Sequence, residues 1–179
     1  MICGGYLEYY DLVRNSCSFD EKLCMKLGFK SIAKAPGDIS IIDADAGRSG
    51  KGERSIIYGS GKRLIGAVKQ GAAAVWIKDY LLDKQLLDVV YDNTIPLVFP
   101  ISDIVCANGL QRPRLMSKMS RLLKYSAKLG IGISFITMAE SRSGMCSYMQ
   151  IVEIAKLLGA DEECARAGLS EINKRMLYD

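Results

Sequence analysis

The chain contains no histidine, and that absence excludes more chemistry than any residue present suggests. Without an imidazole there is no Ser/His/Asp or Cys/His activation of a nucleophile, no HExxH zinc hydrolysis and no histidine proton shuttle. Chemistry here has to run on carboxylates, lysine, tyrosine or cysteine, or be done by a partner. Proline and tryptophan are scarce (4 and 1 of 179 residues), and no stretch is long, polar and unpatterned. Neither a linker nor an internal repeat divides the sequence, so one domain spanning 1–179 is expected. At 49% hydrophobic and 25% charged, the composition is that of a globular protein able to bury a substantial core.

Closely spaced metal ligands are also missing. The six cysteines (Cys3, Cys17, Cys24, Cys106, Cys146 and Cys164) are scattered without a CxxC pair, which argues against structural zinc. The opening MICGGYLEYYDLV has no basic segment ahead of an apolar one, and no apolar run approaches the roughly 20 residues that span a bilayer. A soluble cytoplasmic protein with reduced thiols, no cofactor and no membrane partner is expected.

What is present is an alternation of two periods. Short apolar runs rich in β-branched and aromatic residues predict strands at Tyr6–Val13, Phe29–Ala33, Ile39–Ile42, Ser55–Tyr58, Ala73–Ile77, Pro96–Phe99 and Gly132–Met138. Helical spacing predicts helices at Phe19–Leu27, Lys62–Gln70, Tyr80–Tyr91, Pro113–Leu129, Ser147–Leu158, Asp161–Ala167 and Ser170–Leu177. Strands that are mostly apolar throughout and joined by helices imply an α/β protein whose sheet is covered on its faces. The strand count suits a compact, irregular TIM-barrel-like fold with mostly parallel strands. A full barrel needs about 250 residues, so this one has to be trimmed. One trim shows directly: Ile39–Ile42 and Ser55–Tyr58 follow one another without a helical segment between them.

The net charge of +4 is unevenly spread. Residues Ala44 to Arg63 carry Arg48, Lys51, Arg54, Lys62 and Arg63 against two acids, a local +3. Residues Arg112 to Lys128 carry Arg112, Arg114, Lys118, Arg121, Lys124 and Lys128 with no acid at all, a local +6, which leaves −5 for the rest. On that long helix Leu115, Met116, Met119, Leu122 and Leu123 form an apolar stripe, and Arg114, Lys118, Arg121 and Lys128 form another. A solvated outer face is one explanation. A solubilising face, however, normally interleaves signs to gain (i, i+4) pairs. An unrelieved basic face repels itself and becomes favourable when phosphates neutralise it.

The segment AGRSGKGERS (Ala46 to Ser55) invites a phosphate-loop reading that fails on position. Asp45 and Gly52 stand where a Walker A motif needs Gly and Ser or Thr, and the second Gly-Lys pair, Gly61 and Lys62, has Ile56 and Arg63 there. A basic loop able to touch backbone phosphates, or a plain surface turn, remains. Barrel sites lie at the carboxyl ends of strands. The residues expected there are Asp11 or Arg14, Lys34, Asp43 and Asp45, Gly59 to Gly61, Lys78 and Asp79, Ser102 and Asp103, and Glu140 to Arg142. Lys34 or Lys78, with Asp43, could serve an aldolase-like Schiff-base enzyme if held in a dry mouth. A surface role is the simpler account of both lysines, since lysine commonly ends a strand. Asp43 and Asp45 could hold only an all-oxygen, Mg²⁺-type ion.

In order and spacing the motifs resemble the archaeal ribonuclease P protein component 3 family, counterpart of the thirty-kilodalton subunit of the eukaryotic enzyme. The resemblance runs from YLEYYDLV (Tyr6 to Val13) and FKSIAK (Phe29 to Lys34) through RSIIYGSGKRLIGAVKQGAAAVWI (Arg54 to Ile77) and IPLVFPISDI (Ile95 to Ile104). It continues through GISFITMA (Gly132 to Ala139) and IVEIAKLLGA (Ile151 to Ala160) to ARAGLSEINKRM (Ala165 to Met176). It implies a trimmed barrel acting as a non-catalytic subunit of an endoribonuclease whose RNA removes the 5′ leader of precursor tRNA. The implied partners are ribonuclease P RNA, component 2 and other protein subunits, with precursor tRNA met indirectly. By the same resemblance Lys34, Arg112 and the basic residues of the long helix are RNA or partner contacts. The sequence departs from the family where an Arg, a Pro and an acid usually start the helix after the seventh strand. Cys146, Tyr148 and Gln150 stand there, with Arg142 nearby as the available base.

Overall fold

A computed structural model describes residues 7–14, 17–35, 37–46 and 54–178. All seven expected strands are present: β1 (Tyr10–Arg14), β2 (Ser31–Ala35), β3 (Ser40–Asp43), β4 (Ser55–Gly59), β5 (Ala74–Ile77), β6 (Leu97–Pro100) and β7 (Ile133–Ile136). The helices are α1 (Glu21–Leu27), α2 (Gly61–Val68), α3 (Lys84–Asp92), α4 (Ser102–Cys106), α5 (Gln111–Lys128), α6 (Tyr148–Leu158), α7 (Glu162–Ala167) and α8 (Asn173–Tyr178). The short α4 had no sequence expectation, because five residues carry too little of the 3.6-residue period to be seen. No described helix separates β3 from β4, as the sequence implied.

Every described ladder is parallel. β1 pairs with β2, and β3-β4-β5-β6-β7 form a second sheet in chain order. The two sheets meet beside β7, where the Met138 amide donates to Leu12 (2.7 Å) and the Arg14 amide to Ala139 (2.9 Å). Asp11 reinforces this seam by accepting from the Thr137 amide (2.6 Å) and from the Thr137 hydroxyl. No ladder joins β2 to β3 among the described residues, so the barrel is irregular there.

Strand parity sorts the side chains into two cores. Leu12, Ala33, Ala35, Ile56, Ala74, Val98 and Ile136 fill the interior, and Val13, Ile57, Val75, Phe99 and Phe135 face the helices. The alanines fit a barrel narrower than eight strands would make, since interior width grows with strand number. The amino-terminal end is plugged by α8, whose Met176 and Leu177 enter the inner core. Asn173 anchors that plug: its amide group donates to the Tyr10 and Phe135 carbonyls (2.8 Å each), and its oxygen accepts from Ser134 (2.6 Å). The plug leaves the carboxyl ends of the strands as the open mouth.

Helix ends follow from the residues that flank them. Asp20 caps α1 by accepting from the Leu23 amide (2.7 Å), Asp83 caps α3 and Asp161 caps α7. Gly28 (φ 82°) and Gly159 (φ 100°) close α1 and α6 in the left-handed conformation. Ser147 and Gln150 form a reciprocal capping box on α6. That accounts for Gln150, and Tyr148 stacks on Tyr9 at 4.4 Å, so both residues serve the local structure. The two expected C-terminal helices are bridged by a π-helical turn, Gly168–Ile172.

Candidate nucleic-acid interface

The last inward-facing residue of each strand lines the mouth, and here the strands place Arg14, Tyr58 and Trp76. Tyr58 and Trp76 are direct neighbours in the β4–β5 register, with ring centroids 4.5 Å apart and planes tilted by 50°. The Arg14 guanidinium lies 5.8 Å from the Trp76 ring, a cation–π contact. These aromatics form one wall of an open cleft of about 640 Å³, completed by Asp79, Tyr80, Asp103, Cys106, Gln111, Arg114 and Lys118, among others. Tyr80 donates to Asp103 at 2.6 Å. Burial, with Asp103 beside it, holds the Tyr80 hydroxyl well above its usual range, so it stays a donor. Burial also raises the Asp103 carboxyl, against the pull of Tyr80 and Arg14. Backbone strain gathers at this end: Asp79, Tyr80 and Met138 have φ of 55°, 53° and 53°.

The basic helix borders this cleft. α5 buries Met119, Leu122, Leu123 and Ser126 and exposes Arg114, Lys118, Arg121, Lys124 and Lys128, as its two stripes foretold. None of these five cations is in an ion pair with a described residue. Its first turn holds no acid, and no side chain caps its start, although the amino end of a helix already carries partial positive charge. Five exposed cations on one face, unpaired with any described residue, are available to an outside anion.

The remaining expected contact residues are dispersed. Arg112 is turned back on α4, donating through its guanidinium to the Ile104 (3.1 Å), Ala107 (3.0 Å) and Val105 (3.2 Å) carbonyls. Lys34 projects to the helix side of β2, 5.0 Å from the Phe19 ring, and away from the interior that Ala33 and Ala35 face. Arg63 donates to the Asp45 carbonyl, and Lys62 is exposed beside it. Arg54 reaches the Tyr178 carbonyl at the plugged end (3.3 Å), opposite the mouth. Arg142 pairs with Asp20 at 3.2 Å, both well exposed. Arg48 and Lys51 lie outside the described residues. Arg114 and Lys118 are therefore the expected contacts that share a cleft.

The lysine-enzyme expectation loses its geometry. Lys34 is outside the barrel, and Lys78 pairs with Asp45 at 3.6 Å while 44% exposed, which is not a dry mouth. Asp43 spends a carboxylate oxygen on the Asp45 and Ala46 amides. Among the described residues no three His, Cys, Asp or Glu side chains gather where a metal could sit. Tyr58, Trp76 and Tyr80 were not singled out from sequence. For Tyr58 and Trp76 the signal was there, as the final inward position of one strand beside that of the next, whereas Tyr80 lies in the turn after β5 and had none.

No protein-family model matches the sequence, and no curated protein matches it. Solved structures do. The chain superposes on an archaeal ribonuclease P chain, seen by cryo-EM with mature tRNA, with TM-score 0.62 and 11% identity, covering 97% of this chain and 85% of that one. It also resembles ochratoxinase of A. niger (TM-score 0.50, 17% identity) and a Xaa-Pro dipeptidase with bound methionine (TM-score 0.50, 15% identity). Each covers 69% of this chain, which spans only about a third of the enzymes' length (30% and 33%). At these identities the likeness establishes the α/β fold.

Proposed function

We propose that this chain is a non-catalytic protein subunit of a ribonuclease P, component 3 in type, supporting RNA-catalysed removal of the 5′ leader from precursor tRNA. The observation that carries this is end-to-end correspondence. The ribonuclease P chain covers 97% of this one and is itself covered to 85%, whereas the two enzymes match 69% of it and are covered to only 30% and 33%. The absence of histidine agrees, since the chain keeps a barrel architecture without the residue that most metal and acid–base barrels rely on.

In this reading the exposed face of α5 meets RNA. Arg114, Lys118 and Arg121 neutralise backbone phosphates, and release of condensed counterions supplies the affinity. Lys34, Arg54, Lys62, Arg63 and Arg142, lying elsewhere on the surface, are left to protein partners such as component 2 or to further RNA contacts, and the same role is proposed for Arg48 and Lys51. One domain, working in the cytoplasm, completes the proposal. The test is reconstitution of precursor-tRNA cleavage from cognate ribonuclease P RNA and the protein subunits. Omitting this chain is expected to lower cleavage and adding it back to restore it; cleavage indifferent to the omission would overturn the assignment.

A further inference from the structure

We propose that the cleft at the strand ends is a binding site for one unstacked nucleotide, with guanine the preferred base. The inference rests on the RNA reading only for where the nucleotide comes from, an unpaired position in an RNA strand or a free nucleotide. The site itself stands on its lining.

A cleft of about 640 Å³ is within the roughly 300–1,000 Å³ range of small-ligand sites. Its chemistry is segregated in the way a nucleotide is. Tyr58 and Trp76 give an aromatic wall, and every base has a π-face that stacks on such rings. Asp103 and Asp79 are carboxylates that, when ionised, only accept. Asp103 is held in place by the Tyr80 hydroxyl, and the Tyr80 ring is buried against Phe99. Arg114 and Lys118 form a basic lip on the α5 side, suited to a phosphate. An apolar ligand would leave the carboxylates and cations unused. A simple anion would leave the aromatic wall unused and meet Asp103.

The carboxylates also choose among bases. Guanine presents N1–H and the N2 amino group side by side, two donors for one carboxylate. Uracil presents a single N–H flanked by two carbonyl oxygens, which a carboxylate repels. Strain in Asp79 and Tyr80 marks a segment held in one conformation by its surroundings, so the acceptors are positioned before a ligand arrives.

Trp76 is the chain's one tryptophan, so its emission reports on the cleft directly. The full chain is titrated with guanosine and uridine monophosphate at fixed ionic strength, with free tryptophan correcting for absorbance. Saturable quenching is expected, tighter for the guanosine nucleotide by about tenfold. Asp103→Asn is expected to erase that preference, and Tyr58→Ala to weaken binding by about tenfold. Exposed Cys106, also in the lining, gives a readout on the unaltered chain: its alkylation is expected to slow in the guanosine nucleotide. A single-stranded oligonucleotide with a central guanosine separates the sources. Binding at least about tenfold tighter than the mononucleotide identifies an RNA strand, through added phosphate contacts, and equal binding identifies a free nucleotide; either supports the site. Quenching that never saturates, or that is the same for both nucleotides and unchanged by Tyr58→Ala, would overturn it. Saturable binding by a chain that reconstituted ribonuclease P does not need would keep the site and overturn the proposed function, and the reverse pattern would do the opposite.

Discussion

At the scale of single residues, two buried polar groups set measurable properties. Asp11 is fully buried at the β1–β7 seam, and burial raises its carboxyl from the ordinary 3.8 to about 6 despite its bonds from Thr137. The folded chain therefore holds this proton more tightly than the unfolded chain. The stabilisation is complete below about pH 4 and is lost as pH rises through about 6. Asp11→Asn mimics the protonated acid, its oxygen accepting from the Thr137 amide and its NH₂ donating to the Thr137 hydroxyl. Urea denaturation is expected to find it equal to the parent near pH 4 and more stable near pH 7, by about 2–3 kcal/mol. Lower stability at both pH values would show that the carboxylate itself holds the seam. Ser126, on the buried face of α5, has a hydroxyl with no hydrogen-bond partner among the described residues. Ser126→Ala removes that cost and improves helix propensity, so a gain of about 1 kcal/mol in thermal or chemical denaturation is expected. Burial also raises the thiols of Cys17, Cys24 and Cys146, keeping them protonated and inert.

Among the elements, the π-helical turn packs most closely against a neighbouring backbone. A Cβ at Gly168 would stand 2.5 Å from the Ile133 carbonyl oxygen and 3.1 Å from a Phe135 ring carbon, so the turn can lie on β7 only because residue 168 has no side chain. Gly168→Ala is expected to cost about 1–3 kcal/mol, read as a lowered denaturation midpoint. An unchanged midpoint would mean that the turn is free to lift away. This turn was invisible in the sequence, where Asp161–Ala167 and Ser170–Leu177 looked like separate helices around Gly168. Local periodicity cannot report a constraint imposed by a strand far away along the chain. The seven strands were legible because apolar runs and glycine or proline breaks are local signals. α5 was legible to its faces, since charge and apolar stripes share one period. The site was half legible. Arg114, Lys118 and Asp103 were recognisable from charge and position. Arg112 misled, because a basic residue at a helix start looks the same whether it meets a phosphate or, as here, the carbonyls of α4.

For the whole molecule, α8 plugs the amino-terminal ends of the strands, the cleft lies at their carboxyl ends, and the exposed face of α5 borders it. Mild net charge and a concentrated basic face agree with the proposed RNA-associated role, in which affinity for RNA would depend on assembly with partners. The most direct test is precursor-tRNA cleavage by the reconstituted enzyme, followed against salt concentration, with either the parent chain or the triple variant Arg114→Ala, Lys118→Ala, Arg121→Ala. All three side chains are exposed on α5, so the variant is expected to fold. It should support cleavage at low salt, fail at lower salt than the parent does, and assemble on the RNA with a log–log salt slope shallower by about 2–3, since each phosphate left without its cation takes about 0.9 from the slope. Superimposable salt profiles for parent and variant would contradict RNA binding through this face.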